Sequence, residues 1–462
     1  MKKTQLTITL TVTLSFFILF SYCNGQESIF NLSAKIENPN SDSLFILNAL
    51  NGNKIKTFFL NKGELKKDTV NIPMGYYRIG DGTENTLCFF KPNYDLHLTL
   101  NTKAFVESIN YSGIGENANN YLAAKYLLEE RLRSVNNYNY YASLEENEFL
   151  NFVDSIYQLK LELFNKHKQN FDEDFLKLEA ESLKTQYLTK IAQYIPMHMY
   201  ITKNNDFKVS NDFVDPFKDN NFDDEQLIIV PGYIDFVNLY IQNLTLNLKR
   251  QNDSISFYNT YVDLIDSEIP NKIIKEGVAH YFGLHAFNYA EDKEYCYNKL
   301  KDMISTPENM KPIEEVYAKI QKIKKGAISP GFEFYDIDSN LVKLEDFRGK
   351  LVYIDIWATW CVPCIKEIPY LHELQTELKD KNIVFVSICQ RDDRERWKAA
   401  VISKKLKGVQ LFAGDADNKF FTDYLVTGIP RFILIDENGL IIDARAKQPS
   451  YPQLKKQLEE LL

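Results

Sequence analysis

The junction from Leu351 to Cys364, LVYIDIWATWCVPC, narrows the fold more than any other stretch of this chain. Leu351 to Trp357 is apolar throughout except for Asp355, as a strand buried on both faces requires. From Cys361 to Leu378 the sequence reads as a helix. A buried strand therefore delivers two cysteines, two residues apart, to the first turn of a helix.

Such a pair can serve four chemistries. Haem attachment needs a histidine after the second cysteine, and Ile365 stands there. Structural zinc needs a second pair or spaced histidines. Cys389 stands alone, and His97, His167, His198, His280, His285 and His372 are scattered. His280 and His285 lack the spacing and the glutamate of a zinc protease helix, so no metal is expected. An inert structural bridge stays open. The setting favours a redox couple instead. The first N–H groups of a helix are unpaired and its dipole is positive there, which stabilises a thiolate on Cys361. Cys364, one turn on, is placed to close the ring and release a reduced substrate.

Redox chemistry depends on compartment, so the N-terminus matters. Lys2 and Lys3 precede a short apolar run, Ile8 to Phe20, and then Cys23, Asn24 and Gly25. This has the shape of a signal peptide over residues 1–25, with cleavage before Gln26. The other exit is lipidation at Cys23, where bulky Tyr22 is a poor match to a lipobox. No later run reaches about 18 apolar residues, so no second span is expected. A periplasmic or cell-envelope protein follows, with a lipid anchor at Cys23 as the variant form. Disulfides form readily in such places. Yet Cys88, Cys296, Cys361, Cys364 and Cys389 are too few to staple 462 residues. Hydrophobic residues at 45% can build cores instead, which leaves the close pair free for chemistry. A net charge of −9 argues against a nucleic-acid partner.

The pattern changes twice along the chain. Residues 26–110 alternate in steps of two, as in Phe30 to Ile36, with a hairpin signal at Asn51-Gly52. A small antiparallel β-sandwich-like domain is expected. Residues 111–325 switch to helical spacing. Leu176, Ala180, Leu183, Tyr187, Ile191 and Tyr194 form one stripe; Phe149, Val153, Ile156 and Leu163 form another. This central α-helical domain carries no catalytic constellation. Lys324 to Gly331 reads as a linker. Residues 326–462 alternate strands with helices and end in a hairpin around Glu437-Asn438-Gly439, which predicts a mixed α/β sheet covered on both faces.

Residues 326–462 resemble the thioredoxin fold, and specifically the TlpA/ResA group of exported thiol–disulfide oxidoreductases. Asp355 to Cys364 matches the strand and active-site signature. Pro369 falls where the family helix kinks, and Gly428-Ile429-Pro430 matches the cis-proline loop. Pro330-Gly331-Phe332, Gly349-Lys350 and Glu367 match the group's further marks. The likeness covers under a third of the chain. The rest resembles, more weakly, the accessory region of long Bacteroidetes forms.

The resemblance implies a dithiol enzyme without a cofactor. Cys361 attacks and Cys364 resolves. Asp355 is a buried acid beneath the pair, and Glu367 handles protons near Cys364. Trp360, Pro363, Ile429 and Pro430 meet the substrate, with the Ile429 backbone pairing like an added strand. Cys389 is expected as an inert core thiol. The implied direction is reduction of disulfide-bearing envelope proteins, with electrons from a membrane thiol carrier. Two rivals are a disulfide oxidase or isomerase of the same fold, and a polypeptide-binding envelope module whose redox domain is a sensor.

Overall fold

The computed structural model describes residues 29–50, 52–414 and 418–462. The leader-like segment, Cys23 and Asn51 lie outside those residues. Two compact units divide between Lys311 and Pro312, inside the helix Pro307–Lys322. Among the described residues, no helix is long and apolar enough to cross a membrane.

Among the described residues of the first unit, eight strands between Ile29 and Ile114 form two four-stranded sheets. In the strand Ile29–Glu37, alternation turns Phe30, Leu32, Ala34 and Ile36 inward. Phe30 of one sheet stacks on Phe90 of the other, 4.4 Å between ring centroids. The expected sandwich character is present. The expectation of a purely antiparallel domain is corrected: Ile29–Glu37 and Asp95–Asn101 run parallel. The chain visits the second sheet twice, as Ser43–Asn48 with Lys54–Phe59 and as Gly75–Gly80 with Asn85–Phe90, returning to the first sheet as Glu64–Asn71 in between, and then enters Asp95–Asn101 in the direction of Ile29–Glu37. Strand structure also continues to Ile114 before the first long helix, Glu116–Leu132.

Helices then dominate, and their stripes depart from simple periodicity. In Glu173–Thr202, Ala180 is exposed and Leu176 only half-buried, while Glu179 is fully buried. Glu179 sits inside because three groups converge on it. Tyr76 and Tyr121 donate their hydroxyls at 2.9 and 3.0 Å, and the Lys125 ammonium approaches to 2.5 Å. A buried carboxylate needs such partners. Since Tyr76 is on a strand and the others on helices, this network ties the β-rich and helical segments into one unit. In Glu146–His167 the stripe ends on Phe164, not Leu163.

Among its described residues the second unit holds seven strands: β1 (Glu333–Asp336), β2 (Leu341–Lys343), β3 (Leu351–Trp357), β4 (Ile383–Gln390), β5 (Val409–Gly414), β6 (Arg431–Ile435) and β7 (Ile441–Asp443). Its helices are α1 (Val362–Glu377), α2 (Arg394–Ser403), α3 (Lys419–Asp423) and α4 (Pro452–Leu461). One mixed sheet results, in the order β2-β1-β5-β4-β3-β6-β7, with β3, β4 and β5 parallel. This is the thioredoxin-like architecture. The linker expected at Lys324 to Gly331 is corrected. Gly326 donates to the Ile441 carbonyl, Ile328 bridges Leu440, and Ser329 hydrogen-bonds Tyr424, so the segment is bound to its own unit.

Alternation along central β3 assigns its residues to two cores. Val352, Ile354 and Ile356 face a cluster with Phe420, Phe421 and Ile433. Leu351 and Tyr353 face Leu371 and Leu374 of α1 and Leu454 of α4. Trp357, on that second face, joins Cys361, Cys364, Cys389 and Trp397. Asp355 lies between Tyr353 and Trp357 in this alternation, so it shares the face covered by α1.

Candidate active site

Cys361 occupies the N-cap position of α1, and Pro363 sits in the first turn, where no N–H is needed. Cys361 and Cys364 are joined by a disulfide with Cα atoms 5.3 Å apart. The Cys364 backbone N–H donates to Cys361 Sγ at 3.2 Å. This contact places Cys361 sulfur in the field of the helix N-terminus, as the capping argument requires. The sulfur-bearing residues are only 3% and 4% exposed. Exposure therefore does not distinguish the two cysteines, whereas position on the helix does. Around them, Trp360 is 51% exposed and Val362 65%, while Trp357 is buried.

Asp355 is buried, and the parallel register sets it directly beside Ser387 of β4. Burial pushes its carboxyl up to about 7; a hydrogen bond from Ser387 opposes this, and the nearby Glu367 charge adds to it. Glu367, half-buried on α1, accepts from the Ser450 N–H at 2.9 Å and the Ser450 hydroxyl at 3.0 Å. The two acids thus occupy different environments. One is a buried carboxyl poised near neutrality; the other is hydrogen-bonded to Ser450 in the loop before α4.

The Ile429–Pro430 peptide is cis. Ile429 packs against the cluster containing the cysteines, which brings the loop before β6 to the active-site end of the sheet. Cys389 is buried and reduced. Burial first, and then the Asp392 charge, hold its thiol far above the usual cysteine range, as expected of an inert thiol. Cys88 and Cys296 are buried as well, in the first unit. Among the described residues, no group of three or more histidine, cysteine or acidic side chains is arranged to hold a metal ion.

Sequence reasoning missed three contributors. Ser387 and Ser450 carry no signal until the strand register and the loop before α4 are known. Asp392 reads as half of an acidic pair whose other member, Asp393, caps α2. In the fold its side chain is fully buried and accepts from the Thr359 N–H at 2.5 Å.

A cysteine pair capping a helix at the C-terminal end of the central strand defines a thioredoxin-like thiol–disulfide oxidoreductase. Comparison with known proteins narrows the class. The Redoxin family matches residues 324–462. The thiol–disulfide oxidoreductase ResA of Bacillus cereus is 32% identical over 146 residues, covering 32% of this chain and 81% of that protein. ResA of Bacillus subtilis is 30% identical over 129 residues, covering 28% and 70%. The thioredoxin domain of a thiol–disulfide oxidoreductase from Bacteroides vulgatus is 30% identical, with a TM-score of 0.28, covering 30% of this chain and 96% of that one. The chain belongs to the ResA/TlpA-like thiol–disulfide oxidoreductases, in a long form whose first unit lies outside the matched region.

Proposed function

We propose that this oxidoreductase is exported and reduces disulfides of envelope proteins through Cys361 and Cys364. The observation that carries the reading is the cysteine pair capping α1 on the same face of the sheet as Asp355, whose carboxyl is poised near neutrality. The leader-like N-terminus supports export.

The cycle starts from the dithiol. The Cys361 thiolate attacks one sulfur of a substrate disulfide. A mixed disulfide forms, the substrate bond breaks, and one substrate thiolate leaves and takes up a proton. Ionised Asp355 then accepts the Cys364 proton, and Glu367 helps set the field in which it does so. The Cys364 thiolate attacks Cys361 Sγ, the mixed disulfide breaks, and the second substrate thiolate departs. Two electrons have moved to the substrate, and the enzyme is left oxidised, the state seen in the structure. A membrane thiol carrier restores the dithiol. Trp360, Pro363 and the Ile429–Pro430 loop form the docking rim, where the substrate chain pairs with the Ile429 backbone.

The test is turnover and capture with the full chain. Cys361→Ser should abolish reduction of a disulfide-bonded protein. Cys364→Ser should accumulate mixed disulfides through Cys361. Retained turnover in Cys361→Ser would sink the assignment. A protein that only oxidises dithiols would reverse the direction. Absence of any mixed disulfide would favour a binding module.

A further inference from the structure

Two of the three residues that lead into Cys361 are held from outside their own strand and helix. Thr359 donates its backbone N–H to Asp392 Oδ2 at 2.5 Å. Trp360 donates its indole Nε1–H to the Arg391 carbonyl at 2.8 Å. Arg391 and Asp392 form the turn after β4, and the Arg391 N–H is itself bonded to the Gly414 carbonyl at 2.9 Å. The clamp is therefore anchored to the sheet. The Asp392 side chain is 0% exposed. Its other oxygen accepts from the Asp393 N–H at 2.8 Å and faces the exposed Arg396 at 3.6 Å. The Cys389 thiol approaches Oδ2 at 3.7 Å.

We infer that Asp392 is a positioning residue for Cys361: it fixes the Ala358–Trp360 turn so that the Cys361 sulfur stays against the Cys364 N–H. The inference rests on the reading of Cys361 as the attacking sulfur. Two effects of Asp392 have opposite signs, which makes the claim testable. Its negative charge, near the sulfur cluster, disfavours a Cys361 thiolate. Its acceptor role favours that thiolate by keeping the sulfur at the helix terminus. Positioning predicts that losing the acceptor slows Cys361; a charge effect alone predicts that it speeds it.

The experiment uses the reduced full chain in a Cys364→Ser background. Iodoacetamide alkylation of Cys361 is followed by peptide mass spectrometry at neutral pH. Asp392→Ala should slow alkylation by about fivefold, the scale of one lost hydrogen bond. Asp392→Asn keeps an acceptor oxygen and should remain at least as fast as the parent within about twofold, far less than that loss. Asp392→Leu fills the space without an acceptor and replaces the alanine variant if that one does not fold, as judged by tryptophan emission. Alkylation of the acceptor-less variant at or above the parent rate overturns the proposal. So does an asparagine variant as slow as alanine. A parent whose Cys361 reacts no faster than Cys296 overturns the functional reading first, and the positioning role with it.

Discussion

Replacing Asp355 by asparagine separates the cost of its buried charge from its place in the packing. The amide keeps the shape and can still bond Ser387, but it never ionises. In the native protein the carboxyl titrates near 7 rather than at its ordinary 3.8. At about 1.4 kcal/mol per pH unit, that difference is worth roughly 4 kcal/mol. The sign follows from linkage. The folded state holds this proton more tightly than the unfolded state, so its stabilising contribution is full below about pH 4 and lost as pH rises through about 7. Wild type and Asp355→Asn should therefore be similarly stable near pH 4. Near pH 8 the variant should be the more stable, by up to about 4 kcal/mol. Denaturant unfolding of the oxidised full chain, followed by tryptophan emission, reads this unit selectively. Trp357, Trp360 and Trp397, the three tryptophans of the chain, all lie in it. A stability gap of the same size at both pH values would refute the buried, raised carboxyl.

Three further outcomes follow from the same geometry. Glu367→Gln removes a charge that raises Asp355, so the pH window of that stability loss should move downward; an unmoved window in the same unfolding series would disconnect the two acids. Glu179→Ala leaves Lys125 buried without its counter-ion, at a cost of about 3–5 kcal/mol. Far-UV circular dichroism should show the first unit melting earlier, and an unchanged midpoint would mean the network is dispensable. In a single turnover of pre-reduced enzyme with the reductant removed, the pool of Asp355→Asn enzyme trapped as mixed disulfide should grow, because Cys364 has lost its proton acceptor; wild-type levels on a non-reducing gel would assign that step to another base.

Some of this was legible in the sequence for clear reasons. β3 matched its expected bounds because a strand buried on both faces leaves a nearly unbroken apolar run. The helix expected from Cys361 to Leu378 runs from Val362 to Glu377, because Cys361 and Leu378 are its caps. α2 was missed: in RERWKAAVIS only Trp397 and Val401 are buried, too few to stand out as a stripe. Glu179 was invisible as a core residue, since its partners come from a strand and a helix far along the chain. Asp392 was hidden for the same reason. Its meaning comes from β4 lying beside β3, a relation of register and not of local pattern.

The central claim is that Cys361 and Cys364 form a reducing couple, and a redox titration of the full chain tests it most directly. Trp357 and Trp360 flank the pair, so tryptophan emission can follow the exchange against a thiol buffer. The account predicts a single two-electron transition at about −270 mV or below, the range of thioredoxin. A transition near about −120 mV, the range of strong disulfide donors, would contradict it and make the protein an oxidant.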